Sequence, residues 1–166
     1  MPKINSNVEG LLNQFVTELE RLERGYQVAR SYFMEAGYTK VSKYFKHIAR
    51  QHTKLRNKVQ HFILDHDGCL DINALPGVNK IQVNDVVADT HVIFKGYYDK
   101  VVGIGKDLNK IYIEALSDED ITTCKWIKEL IMEQLQMEAD AKETMLEMGF
   151  AQTKLEIWQI DQHLVY

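Results

Sequence analysis

The sequence has little of what staples or punctuates most small folds. Of its 166 residues only two are cysteine and two are proline. Cys69 and Cys124 cannot form a disulfide framework, so burial must hold the chain together, and a reducing cytoplasm is the expected compartment. There is no glycine-rich phosphate loop, no Cys-x-x-Cys pair, and no Ser or Cys with a recognisable base and orienting acid. Nucleotide cradling, dithiol exchange and acyl transfer therefore lack their carriers. No apolar run approaches the ~18 residues of a membrane-spanning helix, and Met1-Pro2-Lys3 does not open the apolar core of a signal peptide. A net charge of -4 with a pI near 5.9 gives no basic footprint for nucleic acid or an anionic membrane, so neither partner is expected.

What is present is a continuous helical pattern. A hydrophobic share of 45% and a charged share of 27% are those of an ordinary soluble protein. A chain this long can bury well over half of the surface it exposes when unfolded, which predicts one domain over residues 1–166. Leu11, Leu12, Phe15, Leu19, Leu22, Tyr26, Ala29 and Phe33 form one helical stripe, opened by the capping box Ser6-x-x-Glu9 and closed by Gly37. Val41, Phe45, Ile48, His52, Leu55, Val59 and Phe62 form a second, ending near Asp67-Gly68. Residues 69–83 carry Pro76-Gly77 and too little helical period to continue, so they read as an extended crossover. Asn84 or Asp85 can cap a third helix running to Leu116. Ser117-x-x-Asp120 starts a fourth that runs to Gly149, with acids in its first turn, and Thr153-x-x-Glu156 caps a last short helix to about Leu164.

Two helical hairpins joined by one long crossover make the connectivity of a ferritin-type four-helix bundle. Particular residues carry the likeness further. Gly68-x-Leu70-x-Ile72 followed by Pro76 resembles the ferritin crossover, and Trp158-Gln159-Ile160-Asp161-Gln162-His163-Leu164 resembles the closing helix of bacterial non-haem ferritins. Tyr26, Phe33, Lys43-Tyr44-Phe45, Cys124-Lys125-Trp126 and Glu133-Gln134 also stand about where that family has similar residues. The chain thus resembles the ferritin-like superfamily over nearly its whole length. The resemblance implies an all-α fold: a four-helix bundle with a long crossover between the second and third helices and a short fifth C-terminal helix. It further implies iron storage or sequestration by a homo-oligomer, built from dimers into a closed shell.

The same resemblance places the family's di-iron ligands one by one, and most are missing. The second helix offers His52 and Leu55, or Thr53 and Arg56 if Gly68 sets the register, and neither is Glu-x-x-His. The first helix offers Leu19 if Tyr26 sets the register and Glu20 if the local pattern does. The third offers Val101. The fourth offers Gln134, followed one turn later by Met137. Glu20, His52 and Gln134 are thus the expected remnants of the metal position, and hard iron wants several carboxylate oxygens. No tightly bound cofactor is expected, iron entering only as a weakly bound or stored ion.

Each surviving polar residue also has a plain packing role. His52 reads as a core histidine bonded to Gln134 or a buried water. His61, Asp65 and His66 could hold zinc, but such clusters at a helix end are usually solvated. Gly96 and Gly103 read as clearance for a neighbour's aromatic rings, and Tyr97, Tyr98 and Tyr112 as packing. Lys40, Lys43, Lys46, Arg50, Lys54, Arg56 and Lys58 make the second helix basic. Glu129, Glu133, Glu138, Asp140, Glu143 and Glu147 make the fourth acidic. The two faces are expected to pair. The sequence therefore points to a ferritin-like shell subunit without an intact ferroxidase centre and without oxidase activity. Its alternative is a metal-free ferritin-fold protein serving as a structural or partner-binding bundle.

Overall fold

The computed structural model describes residues 3–166. Five helices follow one another: α1 (Ser6–Glu35), α2 (Thr39–Asp65), α3 (Val86–Ser117), α4 (Ile121–Phe150) and α5 (Lys154–His163). Among the described residues there is no strand. Helices α1 and α2 pair closely as one hairpin, α3 and α4 as a second, and α5 lies across α2, α3 and α4. The stripes read from the sequence are the buried faces. Leu12, Leu19, Leu22, Tyr26 and Phe33 line the inside of α1, and Val41, Phe45, Ile48, His52, Val59 and Phe62 that of α2. Phe94, Val101, Leu108 and Ala115 do the same on α3.

The helix ends show how local chemistry fixes the elements. Asn5, not Ser6, caps α1 by accepting from the Asn7 N–H at 2.8 Å, and Ser6 is already helical. The expected capping box is displaced because Glu9 is used elsewhere: its Oε1 accepts from the Cys69 N–H at 2.9 Å and ties α1 to the crossover. Asp85 caps α3 through the Ala88 N–H. Asp120 caps α4 through Thr123, while Ser117 closes α3, so Asp118, Glu119 and Asp120 precede the first turn of α4 instead of filling it. Thr153 and Glu156 form the expected reciprocal capping box on α5. Helix α2 has no side-chain cap of its own. Buried Asp161 of α5 reaches over and accepts from the Val41 N–H at 2.8 Å, which supplies the missing partner and docks α5.

The connections follow the same logic. Gly37 takes φ 90° in the tight turn between α1 and α2, a conformation that costs glycine little. The crossover runs along α1. Asn13 holds it by donating to the Cys69 carbonyl and accepting from the Asp71 N–H, both at 2.9 Å, and Arg24 reaches the carbonyls of Leu75 and Pro76. Gly68 cannot be larger there, since a Cβ would stand 2.8 Å from both the side chain and the carbonyl of Ile63. Gly96 and Gly103, by contrast, face open space, and no ring of this chain fills them. None of the described helices is long and apolar enough to cross a membrane.

Candidate functional site

All four long helices bury inward-facing residues at the positions the sequence singled out. Leu19, His52 and Val101 are each 0% exposed, and Leu55 and Gln134 nearly so. Gln134 donates its Nε2–H to the Val101 carbonyl at 2.7 Å, which fixes the register of α4 against α3. That bond also replaces the expected pairing of Gln134 with His52. Glu20 does not join them. Its side chain is 35% exposed and lies 3.7 Å from Arg24 one turn away on the outside of α1, while Leu19 points inward. Of the three candidate residues, the fold keeps His52 and Gln134 in the core and turns Glu20 out.

His52 is held by its own helix. Its Nδ1 lies 2.9 Å from the Ile48 carbonyl one turn back. A carbonyl can only accept, so Nδ1 carries the proton, and in the neutral ring Nε2 is a bare acceptor. Burial drives the imidazole pKa down to about 4, against a smaller upward pull from that carbonyl. Among the described residues Nε2 has no hydrogen-bond partner, and neither has the hydroxyl of Tyr26, whose ring packs edge-on against His52 at 4.9 Å. Burial raises the Tyr26 phenol pKa as well.

Around this pair stands a cluster of rings. Tyr97 meets Tyr26 at 5.6 Å and Phe45 at 5.8 Å, and Phe45 packs on Phe33 and Phe94 at 5.7 and 5.2 Å. Tyr97 is thus a packing residue, as expected. Tyr98 and Tyr112 lie at the edge of the core, each beneath a lysine ammonium, Lys95 and Lys128. Burial pushes the Tyr97 and Tyr44 phenols up, the Tyr97 shift being increased by neighbouring Tyr44. Tyr44 in turn donates to Thr144 of α4 at 3.4 Å.

Four residues along α2 from His52, the environment is different. Arg56 donates from Nε to Glu23 of α1 at 3.1 Å, with the side chains only 23% and 14% exposed. Desolvation raises the Glu23 pKa, opposed by the Arg56 charge and by hydrogen bonds from Arg56 and Thr53. No sequence pattern announces this pair, because both residues stand at the edge of their stripes. At the end of α2, His66 stacks on Phe62 at 4.1 Å and bonds to its carbonyl, away from any zinc-binding arrangement with His61. Among the described residues no group of three or more His, Cys, Asp or Glu side chains stands close enough to hold a metal ion.

Between α2 and α4 runs a groove of about 640 Å³, open on the outer side and floored by Leu55, Tyr97, Gln134 and Met137. Its walls carry Lys54 and Lys58 on α2 and Asp140, Glu143 and Glu147 on α4. Only Lys58 crosses to an acid, Glu133, at 3.1 Å. The expected pairing of the two charged faces is therefore confined to one exposed contact among the described residues.

The backbone has close counterparts of known structure. An open-pore ferritin from the hyperthermophilic archaeon Archaeoglobus fulgidus superposes with a TM-score of 0.88 at 17% identity, covering 98% of this chain and 97% of that one. A second structure of an open-pore ferritin from the same organism gives 0.85 at 16% identity, covering 97% of each chain. A humanized archaeal ferritin gives 0.87 at 16% identity, covering 97% of this chain and 95% of that one. No protein-family model and no curated sequence matches the chain. The fold is that of the ferritin bundle, crossover and fifth helix included.

Proposed function

We propose that this chain is a ferritin-like shell subunit, related to iron storage or sequestration, that lacks an intact ferroxidase centre. The fold supports the shell relation, and one observation carries the rest: Leu19, His52, Leu55, Val101 and Gln134 stand on the inward faces where ligands should converge. A bridging metal pair needs a carboxylate from two helices and a Glu with a His one turn apart on the others. These residues supply one neutral imidazole nitrogen and a carboxamide already bonded to a backbone carbonyl. They do not fit the pair. Any iron the protein handles is then stored or weakly bound cargo, oxidised elsewhere.

The assembly follows from apolar surface. Val92, Ile113, Met132, Leu135, Phe150, Leu155 and Trp158 are exposed in the single chain, more than a lone bundle needs to show to water. Copies of the chain are the proposed cover, in a soluble cytoplasmic homo-oligomer without nucleic-acid or membrane partners. The groove between α2 and α4 favours a second reading, a metal-free bundle that binds a partner, since its volume is that of a ligand site.

The test is aerobic Fe(II) oxidation by the purified protein, with particle mass from light scattering. The expected outcome is oxidation at the uncatalysed rate by a particle of many chains. Fast saturable oxidation defeats the ferroxidase statement, and a monomer at micromolar concentration defeats the shell. A restoration test is sharper. His52→Glu with Leu55→His, combined with Leu19→Glu, Val101→Glu and Met137→Glu, is expected to create measurable metal binding. Changing Thr53 and Arg56 instead, in the same background, is not.

A further inference from the structure

The bundle centre holds two unsatisfied polar atoms that complement each other. His52 Nε2 is a bare acceptor, because Nδ1–H is committed to the Ile48 carbonyl. The Tyr26 hydroxyl is a donor with no acceptor. Both residues are almost wholly buried, and each such orphan costs about 1–3 kcal/mol unless something satisfies it.

They do not satisfy each other directly. A phenol that donates to an imidazole nitrogen with ordinary angles holds the two ring centroids about 5.5–7 Å apart. Here the centroids are 4.9 Å apart with the planes tilted by 64°. The rings pack edge-on, and their polar tips are left to a third body. That body must accept from the phenol and donate to the imidazole at once. It must also be uncharged, since Phe45 and Tyr97, the rings packed against Tyr26, offer no compensating charge.

We propose that Tyr26 and His52 hold one internal water molecule, which accepts the Tyr26 O–H and donates to His52 Nε2. The water joins α1 to α2 at the level where a ferritin-type bundle would bind metal. It makes that level a neutral hydrogen-bonded centre. Two polar partners are the minimum that retains a buried water. The same arrangement explains why His52 is tolerated on an apolar stripe: every polar atom of its ring is used.

High-resolution crystallography of the intact protein, about 1.5 Å or better, tests this directly. The expected result is one isolated density peak within hydrogen-bond distance of Tyr26 Oη and His52 Nε2, lost in Tyr26→Phe. Direct contact between the two atoms, or empty space between them, overturns it. A thermal double-mutant cycle gives an independent readout. Tyr26→Phe and His52→Leu should each lower the midpoint by about 3–6 °C, and the double variant should lose far less than their sum. Additive losses overturn the proposal. Should His52→Leu fail to fold, His52→Met, of similar bulk and without a polar ring nitrogen, completes the cycle.

Discussion

Helix α2 carries two polar side chains four residues apart, and they have opposite fates. Arg56 lies on the flank toward α1, half sunk, with Glu23 as a partner of opposite charge. His52 lies on the axis, fully buried, neutral, and bonded to another residue through one nitrogen only. The flank keeps its charges because solvent still reaches them and each offsets the other. The axis is closed to bulk solvent and ringed by Phe45, Tyr26 and Tyr97, so a charge there has nothing to offset it. A rotation of α2 by one residue, about 100°, would bring Thr53 and Arg56 to the places that His52 and Leu55 hold. This is why the register, and not the composition of the helix, decides what chemistry the centre can hold.

The strongest way to break the contrast is to put a carboxylate on the axis alone. Leu19→Glu, with no metal and no cation opposite, should cost about 3–5 kcal/mol in urea unfolding at neutral pH. A loss under about 1 kcal/mol would mean that bulk solvent reaches the centre, and the axis would then be no more enclosed than the flank.

Acid probes the same place without mutation. The His52 pKa is near 6.5 unfolded and about 4 folded, so the unfolded chain binds the extra proton between those values. The stabilisation is fully present above about pH 6.5 and is lost as pH falls toward 4, a slope amounting to about 3 kcal/mol. His52→Leu should flatten that part of the stability profile. An unchanged acid limb in the variant would locate the sensitivity elsewhere.

The flank responds less. Arg56→Met removes the cation while keeping much of the side-chain bulk, and leaves Glu23 partly buried and unpaired. The expected cost is about 1–2 kcal/mol at pH 7, shrinking in acid as Glu23 takes up a proton. Smaller still is Lys58→Ala, which breaks the exposed contact with Glu133 and should change the urea midpoint by less than about 0.5 kcal/mol equivalent, with no pH signature. If Lys58 outweighed Arg56, depth of burial would not be what separates these ion pairs.

Much of the fold was legible because helices write themselves locally. The stripes through Phe15, Leu19, Tyr26 and Phe33, and through Phe45, His52 and Val59, repeat at helical spacing, and their burial follows from that period alone. Pro76-Gly77 interrupts it and marks the crossover. The caps follow the sequence less closely: Thr153 and Glu156 do cap α5, but Glu9 accepts from the Cys69 N–H and Ser117 is the last residue of α3. The long-range cap of α2 by Asp161 has no local signature at all.

The site divides along the same line. Sequence spacing determined that His52 faces inward and that no Glu-x-x-His stands on α2, since both follow from residue identity on one helix. It could not choose between Leu19 and Glu20, or foresee that Gln134 binds the Val101 carbonyl and leaves His52 Nε2 alone. Those are relations between helices, set by how four faces rotate to bury the most apolar surface. One residue of rotation moves a side chain by about 100° around a helix axis, and only packing against the neighbouring helices supplies the energy that selects the angle.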